Sequence, residues 1–444
     1  RDDPVLGQYA LDLAEQCWND LSAKYDLRGQ KPFVLEVFPE HDDFAVRCFG
    51  LPGAQAFLGI CFGNVVAMDS PRARSKGDFS WGETLWHEIV HVTHLRLSGN
   101  RIPRWLAEGI AVYETTAARP YWQMNLDFPF VLAFKNRRLL PLRDLDAGFN
   151  RPTNPGQVSL SYFQAAQVVE FIVQKYGREK LVSMFPKFRA GLKTPAVVDE
   201  VFGMDIDALD REFRDFIVQK YNLRNVDFDF EPEQIAAHAE DAQARLAQEV
   251  REHPTNPLLN LRFGLYYKRA KEYEKAITYL GKAKELFPRY VDHDNPYRAL
   301  AEIYLDMGQK ERAIQELTAL TALNGKDLEA LRLLADLCTE RKQFDCAIAA
   351  LTKMLYVAPF DPAVHQKLGH AYLAARRYDD AIREFQVHLL AGPDDLAGAH
   401  GDLADAYLQA GRKAEAKQAA LKALEIAPDY ERAQEILLAC IGQE

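Results

Sequence analysis

The chain lacks any long apolar run. Nowhere in its 444 residues do about 18 consecutive apolar residues occur, so no membrane-spanning helix is expected. It also lacks a cationic excess. A formal net charge of −10 argues against a general nucleic-acid binder. Cysteine is scarce, with six residues and no C-x-x-C pair. These cysteines are expected to be small buried residues, and a Cys48–Cys61 disulfide is open only in an oxidising compartment. An initiator Met is missing, since the first residue is Arg1. Removal of a signal peptide or a trimmed chain would each account for that. The expectation leans to the bacterial periplasm or the exterior, with the cytoplasm left open.

What is present divides into two grammars. A hydrophobic content of 48% supplies cores for two or three domains. From residue 256 onward the chain repeats itself. A small residue recurs at Ala276, Ala313, Ala347, Ala381 and Ala416, at intervals of 37, 34, 34 and 35. Twelve residues before each lies Gly264, Ala301, Ala335, Gly369 or Ala404. Nine before each lies Tyr267, Tyr304, Cys338, Tyr372 or Tyr407. Small residues at such positions let paired helices cross closely, and aromatics fill the space between them. A period near 34 with this template resembles the tetratricopeptide repeat. The repeats are expected to start near 257, 294, 328, 362 and 397, with capping helices over 233–251 and 431–441.

The first part has no such period. Residues 4–26 read as an amphipathic helix through Leu6, Leu13, Cys17 and Leu21. Three short strands are expected, over 32–39, 56–62 and 64–68. Helices follow over 81–97, 103–116 and 161–176, with more across 178–224. A small sheet followed by helices is α+β.

One stretch carries chemistry. His87-Glu88-Ile89-Val90-His91 is H-E-x-x-H, and on a helix its two histidines lie on one face, one turn apart. Both imidazoles can then reach one ion. Catalytic zinc takes three protein ligands, and Glu108, in Trp105-Leu106-Ala107-Glu108-Gly109, is the expected third. A turn at Gly99-Asn100 would bring its helix back toward the histidines. Position 97 is Leu, so a third histidine six residues past His91, as in metzincins, is absent. His94 is expected to be half-buried on the helix, and His41 to lie in a surface turn. His365, His370, His388 and His400 are expected to be solvated or partly packed. Glu83 and Glu114 are candidate partners for the ligand histidines, with a solvated helix face as the alternative.

The segments Leu85–His91, Pro103–Tyr113 and Ser161–Ala166 together resemble the gluzincin metallopeptidases, specifically the bacterial peptidase MA-like group. The resemblance implies a zincin-like domain over 1–229, followed by an all-α repeat solenoid over 230–444. It implies a Zn2+ ion on His87, His91 and Glu108, with Glu88 as general base for a zinc-activated water. It makes Tyr162 the donor to the developing oxyanion, and Asn64–Met68 the edge strand that holds an extended peptide. Gly63-Asn64-Val65-Val66-Ala67-Met68-Asp69 replaces the G-x-M-E-N stretch of zinc aminopeptidases, so that activity is not carried over. The implied function is zinc-dependent hydrolysis of a peptide or protein substrate, with the repeats binding a partner or part of the substrate. The rival is a repeat scaffold whose peptidase-like domain is inactive or serves docking.

Overall fold

The computed structural model describes residues 4–27, 31–75, 77, 79–229, 242–292 and 294–441. The apolar stripe of Leu6, Leu13, Cys17 and Leu21 is buried along α1 (Pro4–Tyr25). Strands β1 (Val34–Phe38), β2 (Gly59–Phe62) and β3 (Val65–Asp69) form one sheet in the order β1-β3-β2. β1 runs parallel to β3, pairing Val34 with Val65, and β2 runs antiparallel, pairing Cys61 with Val66. The strand at 64–68 is therefore central rather than an edge. Val66, Ala67 and Met68 are all buried, as suits a strand covered on both faces. A turn at Gly63, with φ +66°, folds β2 back onto it and leaves β2 as the edge.

Between β1 and β2 lies α2 (His41–Phe49), where a polar surface turn was expected. Asp42 and Asp43 suit its first turn through the helix dipole. His41 is buried, its Nδ1 2.9 Å from Asp69 Oδ2 and its Nε2 2.7 Å from the Gly53 carbonyl.

The helices that follow are α3 (Trp81–Ser98), α4 (Arg104–Ala118), α5 (Asp127–Lys135), α6 (Ala147–Asn150), α7 (Pro155–Tyr176), α8 (Arg178–Arg189), α9 (Thr194–Phe202) and α10 (Ile206–Lys220). Gly99 and Asn100, both at φ +60°, reverse the chain between α3 and α4. α4 crosses α7 tightly at Gly109, where a Cβ would stand 2.7 Å from the Ala165 carbonyl oxygen. α7 starts six residues before the expected Ser161, with Pro155 in its first turn. Tyr162 thus sits inside the helix, not at its start.

After α11 (Ala242–Glu252) come five helix pairs. They are α12 (Pro257–Arg269) with α13 (Tyr273–Leu286), α14 (Pro296–Asp306) with α15 (Lys310–Leu323), α16 (Leu328–Glu340) with α17 (Phe344–Leu355), α18 (Pro362–Ala374) with α19 (Tyr378–Leu390), and α20 (Leu396–Gln409) with α21 (Lys413–Ile426). A closing helix, α22 (Glu431–Ile441), follows. Of the expected cap over 233–251, residues 233–241 lie outside the described residues. The anchoring alanines are buried, and Gly264 and Gly369 sit where a Cβ would meet Leu280 and Phe385 at 2.6 and 2.5 Å. The first helix of every pair is N-capped by an Asn or Asp side chain: Asn256, Asn295, Asp327, Asp361 and Asp395. His365 is wholly buried between Glu384 and the Pro359 carbonyl, and His388 is buried as well, not solvated.

The cysteines are not all unpaired. Cys338 and Cys346 form a disulfide joining α16 to α17, while Cys48 and Cys61 are free thiols. Tyr267 and Tyr304 occupy the position of Cys338 in the first two repeats. Lys275 and Arg312, at the position of Cys346, cover their rings at 5.0 and 4.1 Å. The disulfide stands where those repeats place a cation on a ring.

Packing groups the chain into two compact units. One comprises Ala14–Ser70 and Glu83–Asn324; the other comprises the segment up to Leu13, Pro71–Gly82 and the chain from Gly325 on. In the first, Arg289, after α13, donates through Nε to Asp127 Oδ1 at 2.7 Å and through Nη2 to the Gln123 amide oxygen at 2.5 Å. The Tyr221 hydroxyl reaches the same Asp127 oxygen at 2.6 Å, and Gln123 donates to the Leu323 carbonyl. In the second, the Tyr9 hydroxyl donates to Glu384 and the Trp81 indole to the Leu355 carbonyl.

Candidate metal centre

The pitch of α3 puts His87 and His91 side by side, their ring centroids 4.8 Å apart. The reversal at Gly99-Asn100 returns α4 so that Glu108 faces them. Its Oε2 lies 3.4 Å from His87 Nε2 and 3.3 Å from His91 Nε2. That oxygen is buried and makes no hydrogen bond of regular geometry. One ligand atom from each of the three residues falls within 4.8 Å of the others. Burial alone would raise the pKa of Glu108, but His91 and His87 outweigh it and hold the carboxyl well below its ordinary value. Two imidazole nitrogens converging on one unsatisfied carboxylate oxygen could hold a divalent cation of borderline softness such as zinc.

Glu88 is buried beneath β2. A Cβ on Gly59 would stand 2.7 Å from Glu88 Cγ, so only glycine leaves that side chain its space. Burial pushes the Glu88 carboxyl up to about 7, against the lowering effect of His87 and with help from the Glu108 charge. Tyr162, on α7, has its ring centroid 6.4 Å from that of His87 and packs on Phe149. Burial raises its hydroxyl above the ordinary tyrosine value.

Three participants were not foreseen as such. Arg104, one turn before Glu108, has its Nε 3.5 Å from Glu108 Oε1 and hydrogen-bonds the Tyr162 hydroxyl. The i, i+4 spacing to Glu108 was its signal. Gly59 left no signal, because its close approach to Glu88 comes from the sheet. His94 was expected half-buried but is wholly buried, with Nε2 2.7 Å from His91 Nδ1. The histidine partner is thus another histidine. Glu114 is neither a partner of the candidate ligand histidines nor a solvated residue. It is completely buried and bound by Lys24 at 3.0 Å, the Tyr25 hydroxyl at 2.8 Å and Arg178. Glu83 lies in the first turn of α3.

Comparison with known proteins places these elements. Residues 73–219 match the Peptidase MA superfamily, and residues 269–337 and 397–430 match tetratricopeptide repeats. The TPR repeat-containing protein YpiA of Bacillus subtilis (strain 168) is 27% identical over 123 residues. That match spans 28% of this chain and 28% of the length of YpiA. Among solved structures, YrrB, described as a TPR protein with an unusual peptide-binding site, is 17% identical. It covers 43% of this chain and 96% of its own, with a TM-score of 0.33. MamA is 23% identical, covers 38% and 90%, and has a TM-score of 0.30. No described helix is long and apolar enough to cross a membrane. The H-E-x-x-H helix and its neighbours thus lie in a segment, residues 73–219, that matches the Peptidase MA superfamily, and tetratricopeptide repeats follow it.

Proposed function

We propose that this chain is a zinc-dependent peptidase, with a catalytic domain over 1–229 and a partner- or substrate-binding repeat domain over 230–444. One observation carries the reading: Glu108 Oε2, buried and without a regular hydrogen bond, faces the Nε2 atoms of both H-E-x-x-H histidines. Without a metal, that oxygen is met only by the two imidazoles, at the long end of the hydrogen-bond range. His87, His91 and Glu108 would hold the zinc, which supplies Lewis acidity toward the scissile carbonyl and toward water.

The remaining steps fall to the chain's own groups. Glu88, confined by Gly59 and β2, takes a proton from the attacking water and returns it to the departing amine. Tyr162, steadied by Arg104 and Phe149, donates its hydroxyl hydrogen to the oxyanion. The outer edge of β2 is unpaired with any other strand among the described residues and offers main-chain groups to an extended peptide.

The test is zinc content of the purified full chain together with cleavage of a denatured generic protein, with and without a chelator. One zinc per chain and chelator-sensitive cleavage are expected. Stoichiometric zinc with no cleavage would favour the scaffold reading. Absence of zinc would overturn the metal centre itself.

A further inference from the structure

His94 is the buried titratable group beside the site that the proposed chemistry does not use. It stands one turn beyond His91 on α3, wholly enclosed, and the two rings share a single hydrogen bond of 2.7 Å between His91 Nδ1 and His94 Nε2. Such a bond has a direction, because one nitrogen must carry the hydrogen and the other must accept it. His91 can turn an unprotonated Nε2 toward an ion only if its Nδ1 holds the hydrogen. His94 Nε2 must then be the acceptor, and the hydrogen of His94 sits on Nδ1. That Nδ1 is buried and makes no regular hydrogen bond, with the Ala107 carbonyl as a neighbouring acceptor. Ala107 immediately precedes Glu108, so the line His91–His94–Ala107 runs from one proposed ligand to the backbone beside another.

We propose that His94 is a positioning residue that fixes the tautomer and ring orientation of His91, and that it acts as a neutral imidazole. This rests on His91 being a metal ligand. Ligand histidines usually donate to a carboxylate, a carbonyl or water, and a carboxylate increases the basicity of the ligand. A neutral imidazole gives His91 direction with little of that increase. The expected consequence is a cation held in a fixed place that keeps more of its Lewis acidity.

The experiment uses the full chain labelled with 15N at histidine. In the zinc-free protein, long-range 1H–15N spectra should show His91 protonated at Nδ1 and His94 unprotonated at Nε2. Zinc affinity is read separately, by competition with a chromophoric chelator. His94→Phe should weaken zinc binding roughly ten- to a hundredfold. His94→Gln, whose amide oxygen can accept near the place of Nε2, should recover most of that loss. A His94 hydrogen on Nε2, or a His94→Phe protein that binds zinc as tightly as the parent, would overturn the proposal. If the Phe variant does not fold, the Gln variant and the spectra decide. If the parent takes up no zinc, the metal-centre reading fails, whereas the spectra still report whether His94 sets the tautomer of His91.

Discussion

Glu108 and Glu114 stand six residues apart on one helix and are enclosed in opposite ways. Glu114 is completely buried, and two cations and a phenol hydroxyl occupy its oxygens. Glu108 has one oxygen near Arg104 and the other turned toward two imidazole nitrogens with no regular hydrogen bond. The first carboxylate is complete within the fold. The second is met only loosely, by two imidazoles at 3.3 and 3.4 Å and by Arg104 at 3.5 Å. Burying an ion is unfavourable unless its lone pairs are satisfied, so the contrast marks Glu114 as architectural and is the reason Glu108 is proposed as a ligand.

Breaking the chemistry while sparing the fold should give the largest effect. Glu88→Gln is expected to lower turnover by about 10²–10⁴-fold while zinc content stays at the parent level. Full activity in that variant would remove Glu88 as the proton carrier. Glu114→Ala should act the other way, leaving Lys24 and Arg178 without their buried counter-charge. A loss of about 3–5 kcal/mol in urea unfolding is expected, with zinc retained once the protein is folded. Zinc lost at unchanged stability would reverse the roles assigned to the two glutamates.

Gly59→Ala sharpens the comparison at a third point. Its methyl group would press on Glu88 Cγ, and overpacking of this kind costs about 1–3 kcal/mol. Turnover should fall with zinc binding little changed, as steady-state kinetics alongside metal analysis would show.

Asp402 is the satisfied carboxylate of the repeats, and its effect is smallest. Burial would raise its pKa, but hydrogen bonds from His370, Arg432 and Gln366 outweigh that and hold it at about 2. Its folded value lies below the ordinary one, so its stabilisation is complete above about pH 4 and is lost as pH falls toward 2. Asp402→Asn should cost about 2 kcal/mol above pH 4, and thermal melts of variant and parent should converge on acidification.

What could be read from the sequence was local. The i, i+4 spacing of His87 and His91, the reversal at Gly99-Asn100 and the 34-residue template all rest on the geometry of a single helix or helix pair. Long-range pairings were beyond it. Nothing near Glu114 in sequence points to Lys24 or Arg178, and nothing near Gly59 points to Glu88. The placement of β3 between two strands depended on where β1 paired, which alternation does not specify. Two misses were readable. Cys338 and Cys346 both depart from the repeat template, at positions that face each other in the first two repeats. His94, three residues past His91, shares its helix face.

The bond between Arg289 and Asp127 bears on how such a chain can be cut or recombined. Asp127 is almost fully buried, and its charge is met by a residue of the first repeat. A fragment ending at residue 229 would keep the acid and discard its cation, whereas one ending at residue 324 would keep both, along with the Leu323 carbonyl that receives Gln123. Repeat arrays lengthen and shorten by whole units, but here the first two units are tied to α5 and its flanking turn. Variation in repeat number among chains built this way should therefore fall behind the second repeat.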